Sequence, residues 1–304
     1  MGTPEFAAGI LDAIIQKGFN VVGVITAPDK PAGRGQKVQF SAVKNYALEN
    51  NLRLLQPAKL RDPEFLSELE SLKADVQVVV AFRMLPDVVW KMPPLATFNL
   101  HASLLPDYRG AAPINWAIIN GETKTGVTTF FIDDKIDTGA TILSREISIG
   151  DDENAGSLHD RLLDLGREAV TSTLTMIAEG NASATPQTNS AELKEAPKLD
   201  RTNTRIDWTQ SSATVHNLIR GLSPYPSAWT MFQDAQEWNV KIFEARIHDA
   251  KYPPGKISID NKRMFIGTGD GSLEVLQLQL PGKKRMAARD VLNGMGFSDN
   301  AIAE

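Results

Sequence analysis

An α/β fold with a doubly wound parallel sheet, followed by a smaller all-β domain, is what the sequence predicts. Three observations predict it. The run Asp75–Phe82 (DVQVVVAF) is apolar without alternation, as expected of a strand covered on both faces. Up to about residue 180 such runs alternate with amphipathic helical stretches, the pattern of a parallel sheet. After about residue 200 the texture changes to short strands separated by turns such as Pro253-Pro254-Gly255 and Gly269-Asp270-Gly271. The first part is therefore Rossmann-like, and the second an all-β barrel of the OB type.

The chain opens on a turn, Gly2-Thr3-Pro4-Glu5-Phe6, and a helix follows from Phe6 to Lys17. A doubly wound sheet normally begins with a strand that feeds this turn, so the first strand is expected to be missing from the sequence. Val21–Thr26 reads as a strand, Ser41–Asn50 as a helix and Ala96–His101 as a strand. Ala112–Asn120 reads as a helix and Gly126–Phe131 as a strand. Ser157–Glu179 is a long amphipathic helix with Ser157 as its expected N-cap. Asn181–Ser190 is polar and small, the composition of a linker or surface loop. The expected division is residues 1–182, a linker 183–200, and a second domain 201–304. In that domain a helix at Val215–Gly221 precedes strands at Ala228–Phe232, Trp238–Ala245, Gly255–Ile259, Arg263–Gly267 and Leu273–Leu280.

Composition narrows the chemistry. The chain has no cysteine, which excludes disulfides, thiolate zinc sites and cysteine nucleophiles. No run approaches the roughly 18 apolar residues of a membrane span, and no basic secretory start is visible. A cytoplasmic protein is expected. The net charge of −5 argues weakly against nucleic acid, but the charge is uneven. From Met1 to Pro197 there are 18 Lys and Arg against 25 Asp and Glu; from Lys198 to Glu304 there are 14 against 12. A mildly basic second half can still grip a polyanion.

Of the four histidines, His159, His216 and His248 fall on helices or loops where a solvated or packed side chain is the expected role. His101 ends a buried strand, where doubly wound proteins place their ligands. Asn99, two residues earlier, points to the same face. A polar pair on an apolar strand is costly unless satisfied or used. Either it holds the following loop or it does chemistry. That loop, Ser103 to Pro113, is made rigid by proline and glycine. A second one, Asp133-Asp134-Lys135-Ile136-Asp137-Thr138-Gly139, follows a strand and reads as an active-site loop or an acidic surface turn. The stretch Pro28–Lys37 carries Lys30, Arg34 and Lys37 with no apolar anchor. It suits either a solvated loop or phosphate binding.

The sequence Asn-Leu-His-Ala-Ser-Leu-Leu-Pro-Asp-Tyr-Arg-Gly-Ala-Ala-Pro, residues 99–113, resembles the signature of the 10-formyltetrahydrofolate-dependent formyltransferase family. Ile136-Asp137-Thr138-Gly139 resembles its second motif. Met1-Gly2-Thr3-Pro4-Glu5-Phe6-Ala7, Ala27–Lys37 and Leu218–Thr230 resemble the branch that formylates methionyl-tRNA, and the similarity runs over essentially the whole chain. The family shows a strand before the Met-Gly-Thr-Pro turn, which this chain lacks. The resemblance implies Asn99, His101 and Asp137 as the catalytic triplet, with no metal. It implies Ser103, Leu104, Leu105 and Pro106 around the folate; the strand end at Ala81, Phe82 and Arg83 is either one wall of the pterin pocket or simply a buried strand end. The resemblance also implies that initiator methionyl-tRNA is the partner, gripped by Lys30, Arg34 and Lys37 and by Lys283, Lys284 and Arg285 with Arg289, and that the protein is a monomer. The rivals are a formyltransferase acting on a nucleotide or amino sugar, a non-catalytic RNA-binding protein, and a formyltetrahydrofolate hydrolase.

Overall fold

The computed structural model describes residues 1–32, 37–188 and 192–304; for residues 30–32, 37 and 38 it describes the backbone alone. Arg34 lies outside the described residues, as do the side chains of Lys30 and Lys37. The chain divides into two compact units. Met1–Gly110, Gly126–Ile147 and Asp160–Lys194 make the first; Ala111–Thr125, Ser148–His159 and Glu195–Glu304 make the second.

Helix α1 (Glu5–Gln16) buries Phe6, Ala7, Ile10 and Ile14, one apolar face at helical spacing. Strands β1 (Val24–Ile25), β2 (Lys30–Ala32) and β3 (Lys37–Gln39) follow. Helix α2 (Ala42–Glu49) starts at Ser41, whose hydroxyl accepts from the Lys44 amide at 3.0 Å. After β4 (Leu54–Leu55), helix α3 (Pro63–Ser71) combines an Asp62 cap with proline at its first position. Strand β5 (Val76–Val80), helix α4 (Asp87–Trp90), strand β6 (Ala96–His101) and strand β7 (Arg109–Gly110) lead to helix α5 (Pro113–Ile119). Strands β8 (Lys124–Phe131) and β9 (Thr141–Ser148) precede the 24-residue helix α6 (Ala155–Ala178).

In the first unit β1 pairs parallel with β4, and β5 parallel with β6, with Val79 opposite Asn99. The parallel sheet expected from sequence carries an antiparallel margin: β6 pairs antiparallel with β8, His101 opposite Thr128, in the order β5-β6-β8-β9. Met1 and Gly2 join the two pieces. The Gly2 amide donates to the Ile25 carbonyl at 3.0 Å, and the Val80 amide donates to the Met1 carbonyl at 2.9 Å. Only glycine fits there, because a Cβ on residue 2 would lie 2.4 Å from the Ala7 Cβ and 2.7 Å from the Val80 oxygen. Met1 and Gly2 themselves stand between β1 and β5. An apolar cavity of about 400 Å³ lies beside them, between β1 and β5, lined by Ile10, Ile14, Val22, Val76 and Leu174 among others. Ile25, Leu55, Phe65, Leu69, Val79 and Val89 pack as one core cluster. Each fully buried side chain contributes roughly 1.5–3 kcal/mol, so this packing holds the two-residue strands β1 and β4 more than their pairing does.

Two details differ from expectation. Val21–Thr26 is a strand only at Val24–Ile25. The cap of α6 is Asn154, whose Oδ1 accepts from the Ser157 amide at 3.0 Å, while the Ser157 hydroxyl donates back to the Asn154 carbonyl. Both residue types cap well, and the one three residues before the amide in need of a partner takes the role.

After β10 (Glu195–Ala196), the second unit places α7 (Ser212–Gly221) before the strands β11 (Ala228–Gln233), β12 (Glu237–His248), β13 (Ile257–Asp260), β14 (Arg263–Gly267), β15 (Ser272–Gln279) and β16 (Met286–Ala287). Helix α8 (Ala288–Gly294) and strand β17 (Ile302–Ala303) end it. The order is β13-β14-β15-β12-β11-β17, with β16 beside β15 and antiparallel pairing throughout. The Ala303 amide donates to the Gly255 carbonyl at 2.7 Å, and the Ile257 amide to the Ala301 carbonyl at 3.1 Å. These bonds bring the last strand back to the start of β13 and close a barrel, which removes exposed edges. Phe232, Val240, Ile242, Met264, Ile266, Leu273 and Leu278 fill its core.

Candidate active site

Alternation along β6 sends Thr97, Asn99 and His101 to one face and Phe98 and Leu100 to the other. His101 is 6% exposed. Its ring Nε2–H donates to the Tyr108 carbonyl at 2.8 Å, which fixes the tautomer. Nδ1 faces the Asp137 carboxylate, with Oδ2 at 3.8 Å. That distance is beyond a hydrogen bond, but a small side-chain shift of either partner closes it when the ring is protonated. The Tyr108 carbonyl thus holds one ring nitrogen, and Asp137 faces the other.

The rest of the loop is built to place that carbonyl. The Ser103 hydroxyl donates to the Asp107 carbonyl at 2.7 Å, and the Thr128 hydroxyl to the Ser103 carbonyl at 2.8 Å. The Leu105 amide donates to the Thr128 hydroxyl at 3.2 Å, and the Leu105–Pro106 peptide is cis. Tyr108 takes φ +61°. Ser103 is fully buried and its hydroxyl is engaged within the loop; Leu104, Leu105 and Pro106 are partly buried.

Asp137 sits at φ +55°, a conformation carboxamide and carboxylate side chains tolerate better than most. Its Oδ2 accepts from the Gly110 amide at 3.0 Å, so one oxygen is oriented by backbone and faces His101. The Thr138 hydroxyl donates to Asp133 at 2.8 Å, closing the loop on itself. Gly139 is required by space: a Cβ there would stand 1.7 Å from the Phe131 carbonyl oxygen.

Asn99 differs from its neighbours. Its Oδ1 is buried and meets no hydrogen-bond partner among the described residues. An unsatisfied buried amide costs about 1–3 kcal/mol, the kind of cost functional sites carry and structural positions do not. The structure thus brings Asn99 and His101 onto one face and Asp137 against His101. Tyr108 and Gly110 also bond to these side chains, through a carbonyl and an amide, which residue identity does not reveal.

The proposed pterin wall lies after β5. Ala81 takes φ +45°, Met84 is 63% exposed, and the Arg83 guanidinium donates to the carbonyls of Pro57 and Ala58, stacking 5.5 Å from the Phe82 ring. Arg83 therefore ties this wall to the loop after β4. In the second unit Lys283, Lys284, Arg285 and Arg289 are all exposed. Arg285 lies 4.7 Å over the Phe243 ring and donates to Gln277 at 2.6 Å, so it is a fixed cation beside two exposed lysines.

Residues 1–174 match the family described as "Formyl transferase" and residues 198–296 the one described as "Formyl transferase, C-terminal domain". The chain belongs to the formyl transferase family. It is 60% identical to a methionyl-tRNA formyltransferase of Flavobacterium johnsoniae over 99% of this chain and 96% of that protein. It is 51% identical to one of Bacteroides fragilis over 98% and 95%. Among solved structures, a Helicobacter canadensis N-formyltransferase in complex with folinic acid and dTDP-3-aminofucose shares the formyl transferase fold, with a TM-score of 0.67. Identity there is 21%, over 90% of this chain and 96% of that one.

Proposed function

We propose that this chain transfers the formyl group of 10-formyltetrahydrofolate to the amino group of methionyl initiator tRNA, in the cytoplasm and as a monomer. The observation that carries this reading is similarity at 50–60% identity, over nearly the whole length, to proteins named methionyl-tRNA formyltransferase. The sugar-nucleotide rival rests on a 21% likeness, which speaks to fold alone.

The geometry supports a division of labour. The methionine amine attacks the formyl carbonyl, and negative charge develops on its oxygen. The Asn99 carboxamide, on the same face of β6 as His101, donates from its NH2 to that oxygen; one aligned donor is worth about 2.7–4 kcal/mol in the transition state. His101, held by the Tyr108 carbonyl, accepts the amine proton at Nδ1 and Asp137 stabilises the imidazolium; the proton then passes to N10 of the folate as the formyl carbon–N10 bond breaks and tetrahydrofolate leaves. Ser103 to Pro106 and Ala81 to Arg83 flank the folate. The cations Lys30, Arg34 and Lys37, with Lys283, Lys284 and Arg285, neutralise tRNA phosphates. The test is formyl transfer to methionyl-tRNA, with uncharged tRNA, a dTDP-amino sugar and water as control acceptors. Transfer to the amino sugar, or release of formate without acceptor, in place of transfer to methionyl-tRNA would overturn the reading.

A further inference from the structure

Gln187 lies fifty residues after Asp137, in the polar stretch whose composition reads as linker. It does not behave as one. Thr185 pairs with Thr141 at the start of β9, with amide-to-carbonyl bonds of 2.8 Å in both directions. That pairing delivers Gln187 to the Asp137 loop. Its Nε2 donates to the Asp137 carbonyl at 3.0 Å and to the Gly139 carbonyl at 2.8 Å. Its Oε1 accepts from Arg109 Nε at 3.1 Å and from Arg109 Nη2 at 2.6 Å. Both donors and both lone pairs of the carboxamide are used, which fixes its orientation as well as its position.

The consequence is a closed frame. Arg109 is bonded to Gln187; Gln187 is bonded to the backbone on both sides of Thr138; the Asp137 carboxylate is bonded to the amide of Gly110, next to Arg109. Asp137, in a left-handed conformation on a turn with Ile136 63% exposed, has little apolar packing to hold it. We propose that Gln187 is a positioning residue of the formyl-transfer site: with Arg109 behind it, its amide clamps residues 137–139 and so sets where the Asp137 carboxylate stands relative to His101. This rests on the reading of Asp137 as a catalytic group. Leucine at 187 matches glutamine in bulk and removes both donors. Glutamate keeps the pairing with Arg109 but can only accept, and sets a carboxylate against two carbonyl oxygens and against Asp137.

The experiment is steady-state transfer to methionyl-tRNA by the wild type, Gln187→Leu, Gln187→Glu, Asp137→Asn and the double variant Gln187→Leu/Asp137→Asn, with folate affinity and melting temperature for each. Displacing a reacting geometry by about 1 Å costs on the order of 100-fold, so kcat should fall about 10- to 100-fold in Gln187→Leu and further in Gln187→Glu. KM for both substrates and folate affinity should stay within about threefold. The double variant should be no slower than Asp137→Asn alone, because residues acting as a unit are not additive. Wild-type kcat in both Gln187 variants, or additive losses in the double variant, would overturn the inference. So would a fall in kcat matched by equal losses of folate affinity, in either Gln187 variant. If Asp137→Asn itself turns over normally, the fault is in the catalytic reading; if only the Gln187 variants do, it is in this inference alone.

Discussion

The ring of His101 is fixed at one nitrogen by the carbonyl of Tyr108, 2.8 Å away, and presents the other to Asp137 across 3.8 Å. The loop after β6 and the loop after β8 thus share one imidazole.

His101→Ala and Asp137→Asn should each lower kcat about 100- to 10,000-fold, the range of a lost proton-transfer group. Folate binding measured by fluorescence titration should change little, because the charge they address develops only in the transition state. Asn99→Ala should lower kcat about 100- to 1,000-fold by removing one oxyanion donor. Stability by urea melt should hold or rise, since the variant also removes a buried amide oxygen without a partner among the described residues.

Gly139→Ala should damage both fold and chemistry. The added Cβ meets the Phe131 carbonyl at 1.7 Å, a clash that backbone must move to relieve. Overpacking of this kind costs about 1–3 kcal/mol. Because the residue that moves is two positions from Asp137, kcat should fall while the KM values stay near wild type. A wild-type kcat would show that the 137–139 turn need not be held where the structure puts it.

Arg34→Ala should slow transfer to methionyl-tRNA and leave folate affinity unchanged. Its guanidinium can fork onto a phosphate, whereas the neighbouring lysines act as point charges. The deficit should shrink as salt rises, because screening removes part of the wild-type advantage. Replacing Lys283, Lys284 and Arg285 together should flatten the salt dependence itself, by about 0.9 in logarithmic slope for each duplex phosphate that the protein no longer neutralises. Transfer rates between low and high salt for both variants check the two statements.

Below neutral pH the second unit should lose stability through His216. Burial pushes its pKa below the ordinary value, the Arg220 charge pushes the same way, and Asp152 and a backbone bond to Ala245 oppose them in part. The folded state therefore holds a neutral ring, and the unfolded chain takes up the proton first, near pH 6.5. Stability from this group is fully present above that pH and is lost as pH falls through the folded value. Urea midpoints from pH 7.5 down to 5 should decline for the wild type and decline less for His216→Leu.

What could be read from residues alone was whatever is carried by local pattern. Covered strands announce themselves, as in Val76–Val80, and so does the same-face spacing of Asn99 and His101. Strand β9 did not, because its side chains are mostly exposed or half-buried and leave no apolar stripe. Helices α3 and α8 and the two-residue strands β4 and β17 are too short for periodicity to speak.

The sequence by itself determined the two-part architecture, the family and the identity of the candidate triplet, because each of these is written in residue type and spacing. Tertiary structure alone decided how those groups are held. Tyr108 contributes a carbonyl and Gly110 an amide, and backbone groups have no residue identity to read. Gln187 reaches Asp137 across fifty residues, through a Thr141–Thr185 pairing that polar, loop-like composition conceals. Side-chain chemistry is local to the sequence; the direction in which a carbonyl or an amide points is set by the packing of segments far apart in the chain.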